Sequence, residues 1–456
     1  MNQRHEADVL IIGEGIAGCC AAIEAHDLGA RVLVVDKAPK DVPHGNTVYS
    51  GGAFRRVSDT YTRGEYFRDL MVLSGNRADP DLANFVVDRS AEAQHWLERL
   101  GVVWIESKES TGAVVEAEDR GRGIVQAVRR AVEARGVRSM HEMEASALPS
   151  SGGRVIGIDA RRADGTMIQI SAGAVVLASG GFSANPDMVR QYIGEGARHL
   201  VLRGSQYNTG DGLRMAQALG AKLDWMDDFH GGLISYAYKE HHREIEGAGT
   251  GMRHIAHYEV AILINQGGKR FVDEGEYSSD KTYAKFGKVV PLTQPGGIAY
   301  VVFDSRARDI VDPVYKGPGS EPIEAPTIHE LAVKIGVPSA TLIETVNAFN
   351  EGIRDGKNLL VTPPKTNFAQ RIDLPPYYAH KVTGGFTFTF GGLRTKLSGE
   401  VLDAEGKVMP GLFAAGEIST GLFYGNYGGG SSLPKCTILG REAGKAAGRY
   451  ATGARG

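Results

Sequence analysis

A glycine pattern near the start of the chain constrains the fold more than any other feature. The apolar run 9–12 leads into Gly13, Gly15 and Gly18, spaced as Gly-x-Gly-x-x-Gly, and a second apolar run ends at Asp36. The first glycine allows a tight turn, the second lets a pyrophosphate approach the backbone, and the third lets a helix pack against the strand. The acid accepts hydrogen bonds from a ribose. This pattern predicts a dinucleotide site on a βαβ unit.

Later segments decide which dinucleotide is bound. The apolar run 174–178 ends in a glycine pair, and near the C-terminus Gly416 and Glu417 follow another apolar run. FAD is long, and both ends of a chain are needed to wrap it. The turn at 431–433 would direct the N–H groups of the next helix at the flavin pyrimidine edge, which is negative when the flavin is reduced. The sequence therefore predicts FAD.

Composition excludes several classes of protein. The chain has 456 residues and a net charge of −3, which does not favour nucleic-acid binding. No apolar run is long enough to span a membrane, and the polar first residues do not resemble a signal peptide. Cys19, Cys20 and Cys436 form neither a disulfide framework nor a metal motif. We expect a cytoplasmic protein that is not membrane-embedded and has no metal.

The distribution of patterns predicts an α/β fold with an insertion. Residues 1–227 read as the first part of a doubly wound, Rossmann-like FAD-binding domain. Aromatic residues, histidines and short strands over 228–377 predict an inserted α+β capping domain that carries the substrate site. Residues 378–456 then return to the FAD-binding domain.

Several segments resemble one large flavoprotein family. They are the opening fingerprint, Gly45-Asn46-Thr47 with Gly51-Gly52, Thr209-Gly210-Asp211-Gly212, the run 265–274, and 415–417 with 426–429. Together they resemble the fumarate reductases, succinate dehydrogenase flavoprotein subunits, 3-ketosteroid Δ1-dehydrogenases and tricarballylate dehydrogenases. The resemblance covers essentially the whole chain. The runs 270–275, 282–287 and 421–427 look most like the tricarballylate dehydrogenase branch.

The resemblance completes the set of predicted FAD-binding residues, which lie in glycine turns, at strand ends and at helix starts. They are Gly13, Gly15, Ile16, Ala17, Gly18, Asp36, Lys37, Asn46, Thr47, Gly51, Gly52, Gly180, Gly181, Asp211, Gly416, Glu417, Ser431, Ser432 and Leu433. Asn46 stands near the place of the flavin-linking histidine of succinate dehydrogenases, so the resemblance implies that FAD is held non-covalently.

Three departures from the family pattern concern the substrate. Where members acting on four-carbon dicarboxylates carry an arginine acid/base, a substrate-binding arginine and a carboxylate-binding histidine, this chain has Ser279, Tyr427 and Phe388. An unpaired buried carboxylate costs several kcal/mol. We therefore expect neither fumarate nor succinate to be a good substrate.

Two tyrosines resemble those of the ketosteroid dehydrogenases. A closing-loop tyrosine and a nearby glycine amide polarise a ketone in those enzymes, and a cap tyrosine takes a proton. Tyr427 with Gly430, and Tyr277, stand at similar places, offset by about a residue in each loop. Tyrosine acts as a base only if its phenolate is stabilised and the substrate C–H is acidified. The alternative is that both tyrosines only line the pocket.

The predicted cap also contains a cationic cluster. Arg253, His254 and His257 precede the apolar run 261–264 and could bind a carboxylate or a carbonyl. The alternative is a solvated surface, because arginine and histidine often cluster there. No carboxylate or cysteine completes a metal-ligand set beside these histidines.

These observations predict an FAD-dependent dehydrogenase that moves two hydrogens across a C–C bond next to a carbonyl or carboxyl group. A tricarballylate-like acid is the favoured substrate, and a cyclic ketone of the ketosteroid dehydrogenase kind is the alternative. A third possibility is the flavin subunit of an electron-transfer complex that works as an ene-reductase. The expected partners are a small carbonyl or carboxylate compound and a separate electron-acceptor protein.

Overall fold

The computed structural model describes residues 5–42, 44–107, 112–239, 254–311 and 317–453. The strands are β1 (His5–Ile12), β2 (Val32–Val35), β3 (Ala53–Arg55), β4 (Trp104–Glu106), β5 (Val114–Ala117), β6 (Arg138–Met140), β7 (Met143–Ala147), β8 (Ser150–Ser151), β9 (Arg154–Val155), β10 (Gly157–Arg162), β11 (Met167–Leu177), β12 (Val201–Leu202), β13 (Leu223–Asp224), β14 (Phe229–Ser235), β15 (Ile262–Ile264), β16 (Ala299–Asp304), β17 (Ile323–Ala325), β18 (Tyr377–Thr389), β19 (Gly392–Leu393), β20 (Glu400–Leu402) and β21 (Val408–Ala414). The helices are α1 (Ile16–Asp27), α2 (Arg63–Leu73), α3 (Pro80–Arg99), α4 (Arg120–Ala134), α5 (Pro186–Tyr192), α6 (Asp211–Ala218), α7 (Ser279–Thr293), α8 (Ile328–Ile335), α9 (Ser339–Glu351) and α10 (Ser432–Thr452).

The main sheet has eight strands and a largely parallel centre. Its principal order is β20-β21-β11-β1-β2-β6, and β10 and β7 extend it from β11. Strands β21, β11, β1, β2 and β6 pair in parallel. Alternate residues of β1 belong to two different apolar cores, because both faces of a parallel sheet are covered. This arrangement confirms the predicted α/β fold with a doubly wound sheet.

Helices α1 and α10 pack closely against each other beside this sheet. A Cβ on Gly440 would lie 2.5 Å from the carbonyl oxygen of Ala17, and one on Gly444 would lie 2.3 Å from that of Ala21. Only glycine leaves room for this approach. The contact holds the last helix of the chain against the first, so that both helix N-termini lie at the same edge of the sheet.

The second sheet is mixed and has six strands. Its order is β12-β18-β16-β15, with β14 and β17 also paired to β18. Helices α8 and α9 contribute to an apolar core with strands β15 and β16. The sheet includes β12 and the whole of β18, so its strands extend beyond residues 228–377 on both sides. The proposed domain boundaries stay a prediction.

A buried ionic cluster fixes the chain after β15. Arg270 Nη2 donates to Glu274 Oε2 at 2.6 Å, and Lys365 Nζ lies 3.5 Å from the same oxygen. Glu274 Oε1 also accepts from the backbone N–H of Leu263 at 2.7 Å. Each buried charge is thus paired, as a low-dielectric interior requires. The run 270–274 therefore has a structural role that ties three segments of the second sheet region together.

Smaller elements complete the fold. Strands β3, β5 and β4 form a three-stranded sheet, and β13–β19 and β8–β9 are two-stranded pairs. Within the described ranges, the helices include none with the length and hydrophobicity to cross a bilayer.

Candidate active site

A cavity lies between the carboxyl ends of the main-sheet strands and the second sheet. At one end it is lined by the glycine turn after β1 and by the residues that follow β2. At the other end it is lined by residues of β14, β18 and α7 and by the loop before α10. Ligands bind at the carboxyl ends of strands in open α/β sheets. The position therefore fits a cofactor at one end and a substrate at the other.

The three fingerprint glycines have different roles. Gly13 has φ +103°, and a Cβ there would lie 2.5 Å from the carbonyl oxygen of Ala178. A Cβ on Gly18 would lie 1.9 Å from the carbonyl oxygen of Gly13, so this glycine serves packing. Gly15 has no atom within 4 Å of its ideal Cβ and lines the cavity at the N-terminus of α1. That open space, with the helix N–H groups behind it, fits a pyrophosphate.

Asp36 lines the cavity directly after β2. Its carboxylate accepts from the backbone N–H groups of Glu14 and Ala38, both at 2.8 Å. A carboxylate has about four acceptor positions, so further positions remain for ribose hydroxyls. Lys37 donates to Asp211 Oδ2 at 2.6 Å, and both residues line the cavity. These contacts fix the side chains that line this end of the cavity.

Glu417 links the two ends of the chain across the cavity. Its carboxylate accepts from Asn46 Nδ2 at 2.7 Å, from Asn208 Nδ2 at 3.0 Å, and from the backbone N–H of Thr389 at 2.9 Å. Burial raises its pKa, which these hydrogen bonds oppose. Asn46 also accepts from the N–H of Ser205 at 2.7 Å. The amide and carboxylate therefore form one rigid network at the middle of the cavity.

Most of the predicted FAD-binding residues lie on this cavity, and a few lie behind it. The lining residues are Gly13, Gly15, Ile16, Ala17, Asp36, Lys37, Asn46, Thr47, Gly51, Gly180, Asp211, Gly416, Glu417, Ser432 and Leu433. Gly18, Gly52, Gly181 and Ser431 stand behind the lining. A Cβ on Gly52 would lie 2.6 Å from Arg120 Cα, and one on Gly181 would lie 2.0 Å from Thr389 Oγ1, so both glycines allow close packing.

Among the cationic candidates from the sequence, the two described histidines do not line the cavity. Arg253 lies outside the described residues. The side chain of His257 is half exposed, and its Nδ1 lies 3.5 Å from Glu259 Oε1. The ring of His254 lies 4.8 Å from that of Tyr283, one layer behind the lining. Tyr277 is half-buried just before α7 and does not line the cavity. Their catalytic roles stay predictions.

Tyr427 lies on the cavity, and its hydroxyl meets the start of α10. The hydroxyl oxygen accepts from the backbone N–H of Ser432 at 3.0 Å and lies 3.2 Å from Ser432 Oγ. Burial raises the pKa of Tyr427, against the hydrogen bonds from Ser432. The phenol is therefore neutral, and a helix N–H already polarises its oxygen. Such a phenol is a good hydrogen-bond donor and a poor base.

Three further polar residues also line the substrate end, and two of them, Arg203 and Tyr283, were not expected there from the sequence. They are Arg203 after β12, His230 on β14 and Tyr283 on α7. Tyr283 is one turn beyond Ser279 on the same helix, so helical spacing could have found it. Burial raises the pKa of Tyr283 and lowers that of His230, which the charge of Arg203 lowers further. Both side chains are therefore neutral near pH 7.

Aromatic rings form the rest of the wall at the substrate end. Phe388 lies 5.4 Å from Tyr427 and 5.1 Å from His230 between ring centroids, and Phe423 lies 5.1 Å from Tyr427. Such a wall can pack against a flat apolar ligand face.

A buried cluster lies behind the fingerprint turn. Glu14 accepts from Ser139 Oγ at 2.6 Å and from His141 Nε2 at 2.9 Å, and Arg129 Nε lies 3.4 Å from it. Ligand atoms of Glu14, His44 and His141 lie within 4.8 Å of one another, a spacing that a metal ion could bridge. Arg129 also contacts His44 and already supplies the positive charge. The expectation of no metal stays a prediction.

The cavity and its glycine cradle define an FAD-binding flavoprotein. The chain belongs to the FAD binding domain family, which it matches over residues 8–433.

Comparison with known proteins extends this assignment. A probable fumarate reductase of Shewanella frigidimarina is 29% identical, over 97% of this chain and 75% of that protein. The 4-oxocyclohexanecarboxylate 2-dehydrogenase of Sinomonas cyclohexanicum is 26% identical, over 99% and 94%. The structure of 3-ketosteroid-Δ4-(5α)-dehydrogenase from Rhodococcus jostii superposes with a TM-score of 0.77, at 26% identity, over 97% of each chain. The protein is an FAD-dependent oxidoreductase that acts on CH–CH bonds, as predicted.

Replacing Gly15 should remove the cofactor without disturbing the protein around it. In Gly15→Val the side chain would enter open cavity space and occupy the place of the pyrophosphate. We expect the variant to purify as folded apoprotein with a lower melting temperature, because bound FAD stabilises the native state. Flavin absorbance per protein measures this. The matched control is Gly64→Val, an exposed site with no neighbour within 4 Å. Full flavin content in Gly15→Val would contradict the assignment.

The cluster around Glu14 predicts a pH dependence of stability. Burial opposes ionisation, but hydrogen bonds from His141, His44 and Ser139 outweigh it and hold the pKa of Glu14 well below 4.5. A depressed carboxyl pKa stabilises the fold above the unfolded pKa, and this stabilisation is lost as the pH falls further.

The measurement is the melting temperature between pH 7 and pH 3 with excess FAD. Glu14→Gln should melt lower than wild type at pH 7, and the difference should shrink below about pH 4.5. The exposed Glu405→Gln is the control and should follow wild type. A difference that stays constant with pH would show that the charge of Glu14 does not contribute.

Proposed function

We propose that this enzyme removes two hydrogens from, or adds them to, a C–C bond next to a carbonyl or carboxyl group of a small molecule. The observation that carries the proposal is the single cavity, which joins a dinucleotide cradle at one end to Arg203, His230, Tyr283 and Tyr427 at the other. The similarity to a fumarate reductase and to a ketone dehydrogenase supports it. A tricarballylate-like acid is the proposed substrate.

The cofactor would supply hydride transfer, and the protein would supply its place and the polar groups around the substrate. Gly15 and the N-terminus of α1 would hold the pyrophosphate, and Asp36 the ribose. The N-terminus of α10, at Ser432, would face the flavin ring. FAD is proposed to be non-covalent, because the amide of Asn46 is held by Glu417 and Ser205 and is no nucleophile. Flavin that stayed on the acid-precipitated protein would contradict this.

The protein groups at the substrate end suit a mechanism in which neutral side chains donate hydrogen bonds to the substrate. Loss of an α-proton leaves negative charge on the carbonyl oxygen, and a donor directed at that oxygen lowers the barrier. Tyr427 already accepts from the N–H of Ser432, so its own hydrogen is available to a ligand in place of the long contact to Ser432 Oγ. Tyr283 is the second neutral phenol on the cavity and could deliver a proton in the reductive direction.

A cyclic ketone is the second candidate substrate. The aromatic wall of Phe388, Phe423 and Tyr427 favours a flat ring, and the phenol of Tyr427 suits a ketone oxygen. The 4-oxocyclohexanecarboxylate 2-dehydrogenase, whose substrate contains both a ring ketone and a carboxylate, is similar over nearly the whole chain.

The physiological electron acceptor is proposed to be a separate protein or soluble carrier. If oxygen consumption by the purified holoenzyme with substrate is slow and an added one-electron dye restores turnover, a separate acceptor is supported. Fast turnover with oxygen alone would contradict it.

A reduction screen tests the proposed function. Tricarballylate, 4-oxocyclohexanecarboxylate and cyclohexanone are mixed anaerobically with the oxidised holoenzyme, and loss of flavin absorbance is followed by stopped flow. We expect bleaching by an acid of this kind, and slow or no bleaching by succinate. Millimolar fumarate should not rapidly reoxidise the reduced enzyme, because Ser279, Phe388 and Tyr427 replace the dicarboxylate-binding cations. Rapid reoxidation by fumarate would contradict the proposed specificity.

Two tyrosine-to-phenylalanine variants test which phenol donates a hydrogen bond to the substrate. Tyr427→Phe keeps the ring and removes the hydroxyl, and should slow flavin reduction by saturating substrate by about 10²–10³, with a smaller effect on KM. FAD content should not change. Tyr283→Phe, the matched change at the neighbouring ring, shows whether any phenol has this effect. If Tyr427→Phe reduces at the wild-type rate and Tyr283→Phe does not, the donor is Tyr283.

A further inference from the structure

Arg203 is the most deeply buried charge at the substrate end of the cavity. The residue is 2% exposed, and its side chain lies across the paired strands β14 and β18. A Cβ on Gly232 would lie 2.0 Å from Arg203 Nη1, and one on Gly385 would lie 2.1 Å from Arg203 Cδ. Two glycines on neighbouring strands thus leave a channel that the arginine fills. The guanidinium therefore lies closely against one face of the sheet, over the paired glycines.

The hydrogen bonds of this guanidinium are incomplete. Nη1 donates to Thr387 Oγ1 at 2.9 Å, whereas the buried Nε and Nη2 atoms have no hydrogen-bond partner. Among the described residues, no carboxylate forms an ion pair with Arg203. Burial lowers its pKa to about 10, so it is still charged near neutral pH. A buried charge without a partner is costly, and each unsatisfied N–H adds to the cost.

The two unpaired nitrogens of the guanidinium form an edge that can bind a carboxylate. Nε and Nη2 lie on the same side of the planar group and match the two oxygens of one carboxylate. His230, on the same cavity, also has a buried Nδ1 without a partner. The charge of Arg203 acts on His230 and Tyr283. These two rings contact Phe388 and Tyr427 of the aromatic wall. An apolar wall near a buried guanidinium suits an organic anion of mixed character.

We propose that Arg203 binds a carboxylate group of the substrate through Nε and Nη2 and so selects acids over neutral ketones. This inference rests on the proposed function, because it names the substrate class of the same site. An anionic reduced flavin could also pair with a guanidinium. The experiment therefore distinguishes a substrate carboxylate from the flavin as the partner of Arg203. Binding the carboxylate beside Thr387 would orient the acid along β18, with its α-carbon beside the aromatic wall.

The experiment compares two ligands that differ only in a carboxylate. 4-Oxocyclohexanecarboxylate and cyclohexanone share a ring ketone, and binding of each to the oxidised holoenzyme is followed by perturbation of the flavin spectrum. Benzoate, succinate and tricarballylate extend the series. The variants are Arg203→Met, which removes the charge at similar volume, and Arg203→Lys, which keeps the charge without the planar fork. Arg198→Met is the control, because Arg198 is exposed outside the cavity.

Arg203→Met should weaken carboxylate binding at least about thirty-fold and leave cyclohexanone binding unchanged. Arg203→Lys should fall between wild type and Arg203→Met, and it remains informative if the Met variant does not fold. Flavin content and the flavin midpoint potential should stay at wild-type values in both. Since binding is read without turnover, loss of carboxylate binding in the variants supports the inference even if no compound is oxidised.

Three results would overturn the inference. The first is wild-type carboxylate affinity in both variants. The second is a shifted flavin potential with unchanged carboxylate affinity, which would show that the guanidinium interacts with the flavin and not with the substrate. The third is the absence of any spectral response of the wild-type holoenzyme to the carboxylate series.

Discussion

The parallel pairing of β1, β11 and β21 is the constraint on which the rest of the structure depends. These strands are more than 150 residues apart in the chain at each step, yet they pair in register, and their carboxyl ends meet at one edge. The turns that follow them therefore converge on one cavity. Close packing of α10 on α1 depends on the same pairing, because it places the last helix beside the first. The same contacts therefore determine the fold and form the cofactor site.

Sequence could predict the cofactor end because its chemistry is carried by the backbone. A turn that must leave space for a pyrophosphate needs glycine at fixed spacing, and that spacing is visible without a structure. Gly13, Gly15 and Gly18 are an example, and each has a distinct steric reason. The Asn46–Glu417 contact could be anticipated only as proximity of two segments, since hydrogen-bond partners 371 residues apart leave no local pattern.

The substrate end could not be predicted in the same way. Arg203 follows a strand of two residues, which is too short for any periodicity, and its importance depends on glycines of β14 and β18 that are distant in sequence. Tyr277 stands nearest the expected motif position, but α7 begins at Ser279, and the helix turns Tyr283 to the cavity instead. Clustered histidines suggested a site because their sequence spacing is close, whereas His257 is left half exposed beside Glu259.

Three consecutive residues of strand β18 contact groups at both ends of the cavity. Thr387 accepts from Arg203, Phe388 forms the aromatic wall, and Thr389 donates its N–H to Glu417. A shift of this backbone to admit a larger ligand would also break the contacts that hold the cofactor end. A substitution at position 388 changes the cavity wall without moving the strand. A lineage of such enzymes can therefore reach new substrates by single mutations. Substrate range can diversify under selection at little risk to flavin retention.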